Sequence, residues 1–135
     1  MHTRRAFGSL IVTALLVAAC GAEGPRDKLR HAAFSFNEGL RWGRYNEVLP
    51  RVDEAAREHF MELHEEWGDA VRISSAEPVQ YVIADDDQRA DITVQFTWYR
   101  VDEMEVHTTR TVQHWEQRDG EWLLVGEEHL SGTPF

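Results

Sequence analysis

The chain has 135 residues, with 14 Lys and Arg against 24 Asp and Glu, which gives a formal net charge of −10 with His neutral. A surface of this sign repels nucleic-acid phosphates and anionic lipid headgroups, so nucleic-acid binding and charge-driven membrane contact are excluded. The length is that of one domain with its own core, and the single cysteine has no partner for an internal disulfide.

The first twenty residues have the pattern of an export signal. Arg4 and Arg5 precede an apolar run, residues 10–19, which is too short to span a bilayer comfortably. The run ends in small residues before Cys20, and residues 16–20, Leu-Val-Ala-Ala-Cys, resemble the lipobox of bacterial lipoprotein precursors. In that family the Cys thiol receives a diacylglycerol, the peptide is cut just before it, and the new amino group is acylated, palmitate being a typical chain. The alternatives are a secretory signal with an incidental cysteine, or a short membrane anchor.

The resemblance divides the chain into a signal peptide, residues 1–19, an acylated Cys and tether, residues 20–24, and one domain, residues 25–135. Each buried methylene contributes about 0.8 kcal/mol, so two or three acyl chains on one residue make the attachment effectively permanent. The mature chain keeps 12 basic residues against 24 acidic ones, a net charge of −12. Gly21 stands where an Asp would favour the inner membrane, which implies attachment facing the periplasm, at the outer membrane where the host has one.

The export route has two interpretations. Residues 3–7, Thr-Arg-Arg-Ala-Phe, are similar to the twin-arginine signature, although Gly8 replaces the usual Leu. The alternative, which we favour, is the positive start of an ordinary secretory signal.

Helical spacing dominates the first half of the mature chain. Residues 26–42 are predicted to form an amphipathic helix that follows Pro25 and ends at Gly43. A short helical or turn segment, residues 44–49, leads to a second predicted helix over residues 52–67. The apolar stripe of that second helix is Val52, Ala56, Phe60, Leu63 and Trp67.

From Val71 the period changes to two, which predicts strands over residues 71–84, 90–101, 104–117 and 121–129. Pro78 marks an edge strand or a bulge in the first of them. The short connections favour an antiparallel meander with the helices packed on one face, an α+β fold.

The turns also set a register for this sheet. The pairs predicted on one face are Tyr81 with Ile92, Trp98 with His107, Phe96 with Thr109, and Trp115 with Leu124. The same face is predicted to carry Val79, Ile83, Val94, Thr111, Gln113 and Trp122. The solvated face is predicted to pair Asp91 with His114, Gln95 with Arg110, and Thr97 with Thr108.

The element order and the closing residues 115–122, Trp-Glu-Gln-Arg-Asp-Gly-Glu-Trp, with a terminal His129-Leu130-Ser131, resemble the nuclear transport factor 2-like, or SnoaL-like, superfamily. This resemblance implies a curved, cone-like sheet around two or three helices, with a pocket at one end. The usual short strand between the second and third helices is not evident, which indicates a trimmed or divergent member.

The candidate ligand pocket is the polar patch expected on the inner face of that sheet, beside Trp98. Buried polar groups need hydrogen-bond partners, so several together suggest a cavity that holds water or a ligand. The alternative is that they satisfy helix ends or lie at the open rim. The predicted pocket residues are Tyr81, Trp98, His107, Thr109, Thr111 and Gln113.

Enzymatic relatives in the superfamily carry out isomerase, dehydratase or cyclase chemistry with a proton-shuttling Asp, Glu or His. His107 with Tyr81 is the one pair here that could serve, as a weak catalytic candidate. Asp53 is better explained as stabilising a helix start. Trp42 and Trp67, each beside a Gly, are interpreted as core plugs in preference to partner anchors.

No metal site or cofactor is predicted. His59 and His64 are spaced to point apart, and His107 and His114 should face opposite sides of one strand. Residues 85–87, three Asp in a row, lack the spacing of a calcium loop.

The function predicted from the sequence is a lipid-anchored envelope module, monomeric, that binds a small apolar ligand or another envelope protein. The alternatives are a small-molecule isomerase or dehydratase with a His/Tyr pocket, and a purely structural envelope protein.

Overall fold

The computed structural model describes residues 21–135, so the predicted signal peptide and Cys20 lie outside the described residues. The first element, α1, is a helix over Pro25–Arg41. Pro25 suits the first turn because its missing N–H would have no partner there, and Gly43 follows the helix with a positive φ of 67°. The apolar stripe of α1 is buried as its spacing predicts: Leu29, Ala33, Phe36 and Leu40.

The short helical segment predicted over residues 44–49 is present as α2 (Tyr45–Val48), which leads into a 3₁₀ turn at Leu49–Arg51. The predicted helix over residues 52–67 is wrong in its bounds. A 3₁₀ turn at Glu54–Ala56 and the shorter helix α3 (Arg57–Leu63) replace it. The reason is that both ends of the apolar stripe are bound to strands. Val52 has extended backbone and bridges Leu124, and Trp67 bridges Val71.

Four strands form one antiparallel sheet in sequence order, as the short connections predict. They are β1 (Val71–Ile83), β2 (Arg89–Arg100), β3 (Val106–Arg118) and β4 (Glu121–Gly132). Helix α1 packs across the sheet and contacts both β1 and β4. The face of the sheet toward the helices is called the inner face below. The predicted α+β class with helices on one face of an antiparallel sheet is confirmed.

The predicted register is present along the sheet. The inner-face pairs Tyr81–Ile92, Trp98–His107, Phe96–Thr109 and Trp115–Leu124 all occur. The outer-face pairs Asp91–His114, Gln95–Arg110 and Thr97–Thr108 also occur. Alternating hydrophobicity therefore fixed which side of β2 and β3 faces the core.

Two of the four register shifts in the sheet change the alternation that the sequence predicts. In β1 the register shifts between Pro78 and Gln80, and Val79, predicted to face inward, is 47% exposed instead. The expectation of an edge strand or bulge at Pro78 is confirmed in both respects. In β4 the register shifts after Leu124, and the next residue to point inward is Glu127.

The core lies between α1, α3 and the inner face. Trp115 and Phe36 are fully buried and meet edge to face, with ring centroids 5.3 Å apart. Trp67 is 4% exposed, as a core plug should be, whereas Trp42 is 60% exposed, so the prediction that it fills the core is wrong. Within residues 21–135, no helix combines the length and hydrophobicity needed to cross a membrane.

Candidate ligand-binding site

A network of buried polar side chains joins α1 to the inner face. Gln113 donates from Nε2 to Asn37 Oδ1 at 2.8 Å and to Glu127 Oε2 at 3.3 Å. Asn37 returns a hydrogen bond from Nδ2 to Gln113 Oε1 at 3.2 Å, and Trp115 Nε1 donates to the same oxygen at 3.3 Å. These groups satisfy one another, as buried polar groups must.

The network ends in a buried pair, His64 and Glu127, whose side chains are 1% and 5% exposed. His64 Nε2 lies 3.0 Å from Glu127 Oε1 without the geometry of a hydrogen bond. His64 Nδ1 lies 2.7 Å from the Phe60 carbonyl oxygen. Because a carbonyl only accepts, Nδ1 is the donor in this hydrogen bond.

Glu127 also lines a cleft of about 280 Å³ between α3 and β4, called the α3–β4 cleft. Its walls are mostly apolar: Val52, Ala55, Ala56, Phe60, Leu63 and Leu124. Asp53 and His59 contribute further polar groups to the lining, and the Asp53 N–H donates to the Leu124 carbonyl at 2.8 Å. An apolar cleft with a few placed polar groups is the usual form of a small-molecule site, and this volume is near the lower end of the usual range.

The structure brings together only part of the predicted pocket. Trp98, Thr109 and Gln113 are buried on the inner face, as is Thr111. Tyr81 is opposite Ile92, whereas His107 is opposite Trp98, six positions further along β2. At about 3.3 Å per residue the two side chains are roughly 20 Å apart along the sheet, so they do not form one acid–base site.

The two candidate catalytic residues each have local partners. His107 is 14% exposed in its side chain, packs on Trp98 with centroids 4.6 Å apart, and has Glu103 Oε2 3.6 Å from its Nε2. Burial raises the pKa of the Tyr81 phenol, against the opposing effect of Arg30, whose guanidinium lies 5.9 Å from the ring centroid. The two residues therefore have separate surroundings and share none of these partners.

The inner face near Trp98 is filled by the chain itself. The Phe135 ring contacts Trp67, Phe96 and Trp98, with centroids 4.7, 5.6 and 5.4 Å away. Trp98 Nε1 donates to Thr109 Oγ1 at 2.8 Å, and Thr109 in turn donates to the Thr133 carbonyl. The segment 133–135 thus supplies the hydrogen bonds and the apolar contact expected of a ligand.

Thr111 differs from the other buried polar residues of the predicted pocket in its hydrogen bonding. Its Oγ1 is buried without a hydrogen-bond partner. The five best-formed surface clefts of residues 21–135 are lined by residues other than the six predicted for the pocket. Within the same residues, no three His, Cys, Asp or Glu side chains are grouped so that they could hold a metal ion.

Sequence reasoning missed the His64–Glu127 pair because strict alternation places Glu127 on the outer face. The available signal was Gly126, since a glycine inside a strand often marks a bulge. A bulge there shifts the following residue inward, and the register shift beside Gly126 does so.

No protein-family model and no curated protein matches the chain. The fold is similar to a putative calmodulin-dependent kinase II association domain from Exiguobacterium sibiricum (TM-score 0.65, 11% identity, covering 84% of this chain and 96% of that one). It is also similar to a protein of unknown function with a cystatin-like fold from Nostoc punctiforme (TM-score 0.55, 14% identity, covering 81% and 92%). A third similar structure is a SEC-C motif-containing protein from Rhodopseudomonas palustris (TM-score 0.54, 12% identity, covering 76% and 73%). At these identities the comparisons establish the fold alone.

Proposed function

We propose that this chain is a lipoprotein of the bacterial envelope, held by acyl chains on Cys20, with a divergent nuclear transport factor 2-like domain over residues 25–135. The anchor rests on the lipobox-like residues 16–20. The family assignment is supported by the order of helices before strands and is compatible with the similarity to a cystatin-like fold.

The proposed role of the domain is to bind a small, mostly apolar ligand in the α3–β4 cleft. The observation that carries this proposal is the carboxylate of Glu127, 5% exposed in its side chain, on an apolar cleft of about 280 Å³. A ligand with an ammonium or another hydrogen-bond donor beside an apolar body suits both features. The net charge of −12 on the mature chain favours a cation.

An isomerase or dehydratase is the second candidate function, because His64 and Glu127 are a buried acid–base pair beside a cleft. Binding is favoured over catalysis, because His64 is buried and is not among the residues that line the cleft. Its Nδ1 is engaged by the Phe60 carbonyl. A proton-shuttling histidine must reach the substrate, whereas a carboxylate oxygen accepts more than one hydrogen bond, so Glu127 can still accept from a ligand beside the bond from Gln113. A purely structural role is the third candidate. It is disfavoured because such a role does not require an open cleft such as the α3–β4 cleft.

The test is calorimetric titration of the full-length protein in detergent with benzylamine, benzyl alcohol and benzoate, which share a ring but differ in charge. We expect benzylamine to bind most tightly and benzoate least. Glu127→Gln should weaken benzylamine binding by about 10- to 100-fold, the usual contribution of a charged hydrogen bond.

The matched control is Glu128→Gln, because Glu128 is the next residue on β4 and its side chain is 75% exposed. This variant should bind benzylamine like the wild type. Equal affinity for the three probes, or equal loss in both variants, would overturn the proposed cleft chemistry.

The anchor is tested separately with Cys20→Ser. We expect the variant to lose acylation, measured by metabolic labelling with a palmitate analogue, and to leave the membrane fraction in a carbonate wash. A Cys20→Ser chain that is cleaved normally and stays with the membranes contradicts the lipoprotein assignment.

A further inference from the structure

A second cleft, of about 560 Å³, lies between the end of α1 and the start of β1. Two arginines and four aromatic residues dominate its lining: Arg41, Arg72, Trp42, Tyr45, Trp67 and Tyr99. Among its lining residues Asp69 is the sole carboxylate, so this arginine cleft is locally positive on a chain whose net charge is −10. A positive cleft on an acidic protein selects for anions.

The two arginines of the cleft differ in how far they are engaged by neighbours. The guanidinium of Arg41 lies 4.7 Å from the Trp42 ring centroid, and its Nη1 lies 3.7 Å from Glu38 Oε1. Arg72 is exposed and forms no ion pair within residues 21–135. Arg72 is directly opposite Tyr99 in the register, so a guanidinium and a ring lie side by side on the sheet.

Trp67 also lines this cleft. It is 4% exposed, and its Nε1 has no hydrogen-bond partner. A buried Trp N–H usually finds an acceptor. Trp42 and Tyr99 are 60% and 39% exposed, so both offer ring surface to a bound molecule.

We propose that the arginine cleft binds a small planar carboxylate, meaning an aromatic ring that bears a carboxylic acid. A guanidinium matches a carboxylate with two parallel hydrogen bonds, and aromatic side chains stack on a planar ring. The volume lies within the range of small-molecule sites. This site is separate from the α3–β4 cleft, since no residue lines both, and it takes a ligand of opposite charge.

The end of α1 beside the cleft opposes an anion through its helix dipole, but this effect is weakened here. The N–H groups of Trp42, Gly43 and Arg44 donate to the carbonyls of Glu38, Leu40 and Gly39. With these carbonyls capped, the helix end opposes an anion less strongly.

The test is calorimetric titration of the full-length protein in detergent with indole-3-acetate and with its neutral analogue indole-3-acetamide. We expect the acid to bind with a Kd of about 1 mM or tighter, and the amide at least about tenfold more weakly. Arg72→Gln and Arg41→Gln should each weaken binding of the acid about tenfold. Arg30→Gln, on the other half of α1, should leave it unchanged.

Arg72 is exposed, so its variant decides the matter even where Arg41→Gln lowers stability. The proposal is overturned by equal binding of acid and amide, by Arg72→Gln binding the acid like Arg30→Gln, or by no saturable binding of the acid up to about 10 mM.

Discussion

Two regions of the inner face bury polar groups in different ways. Near Trp98, backbone and side chain of the segment 133–135 complete the hydrogen bonds and cover the rings. Near Gln113, side chains from α1, α3 and β4 satisfy one another, and a cleft stays open beside Glu127. Buried polar residues alone therefore do not locate a ligand pocket, because another segment of the chain can fill the space beside them.

The largest effect should come from breaking the buried pair at the open region. Glu127→Ala leaves His64 buried without its carboxylate, so we expect the free energy of unfolding to fall by about 3–5 kcal/mol. Urea unfolding followed by circular dichroism measures it. Glu128→Ala, the exposed neighbour, should cost about 0–1 kcal/mol. Similar losses of unfolding free energy in the two variants would mean that the His64–Glu127 pair adds no more stability than an exposed carboxylate does.

Removing the Phe135 ring from the region near Trp98 should lower the free energy of unfolding by less. Phe135 is only partly buried, so we expect Phe135→Ala to cost about 1–2 kcal/mol. Phe34→Ala is the matched control, since Phe34 is 63% exposed and should cost nearly nothing.

Loss of the Phe135 ring should also open an apolar space between Trp67, Phe96 and Trp98. Such a space binds benzene, which a thermal shift in benzene-saturated buffer detects. If benzene raises the melting temperature of Phe135→Ala no more than that of Phe34→Ala, the Phe135 ring does not occupy a ligand-sized space.

The smallest effect on stability should come from His114, which lies on the outer face of the sheet, away from both regions. Partial burial disfavours the charged form of His114, but hydrogen bonds to Asp91 and Glu128 outweigh it and raise its pKa above the usual value. The resulting stability, below about 1 kcal/mol for so exposed a group, should be complete below about pH 6.5 and be lost as the pH rises through the raised pKa. NMR titration of the imidazole measures that pKa, and Asp91→Asn should lower it. An unchanged pKa in that variant contradicts the assigned cause.

Much of the sheet could be predicted from the sequence because its alternation and turns are regular. The Asp119-Gly120 turn set the pairing of Trp115 with Leu124, and the pairs between β2 and β3 followed in the same way. Prediction failed where a bulge interrupts the period of two, at Val79 and at Glu127. The helical spacing of apolar residues also predicted too long a helix. Val52 and Trp67 fit that spacing, but their backbones bridge strand residues and are not helical.

The candidate site was the least predictable part. His64 and Glu127 are 63 residues apart in the chain, and only tertiary packing brings them within 3.0 Å. Phe135 lies beyond the predicted strands, so nothing in the periodicity marked it as the residue that fills the predicted pocket.

Native mass spectrometry shows whether the α3–β4 cleft holds a small ligand. The full-length protein is purified from its host and compared with Ala55→Phe, which fills the cleft from an exposed lining position. We predict a bound small molecule on the wild-type chain that is absent from Ala55→Phe. A wild-type chain without any non-covalent mass, or the same mass on both chains, would contradict the proposed ligand binding.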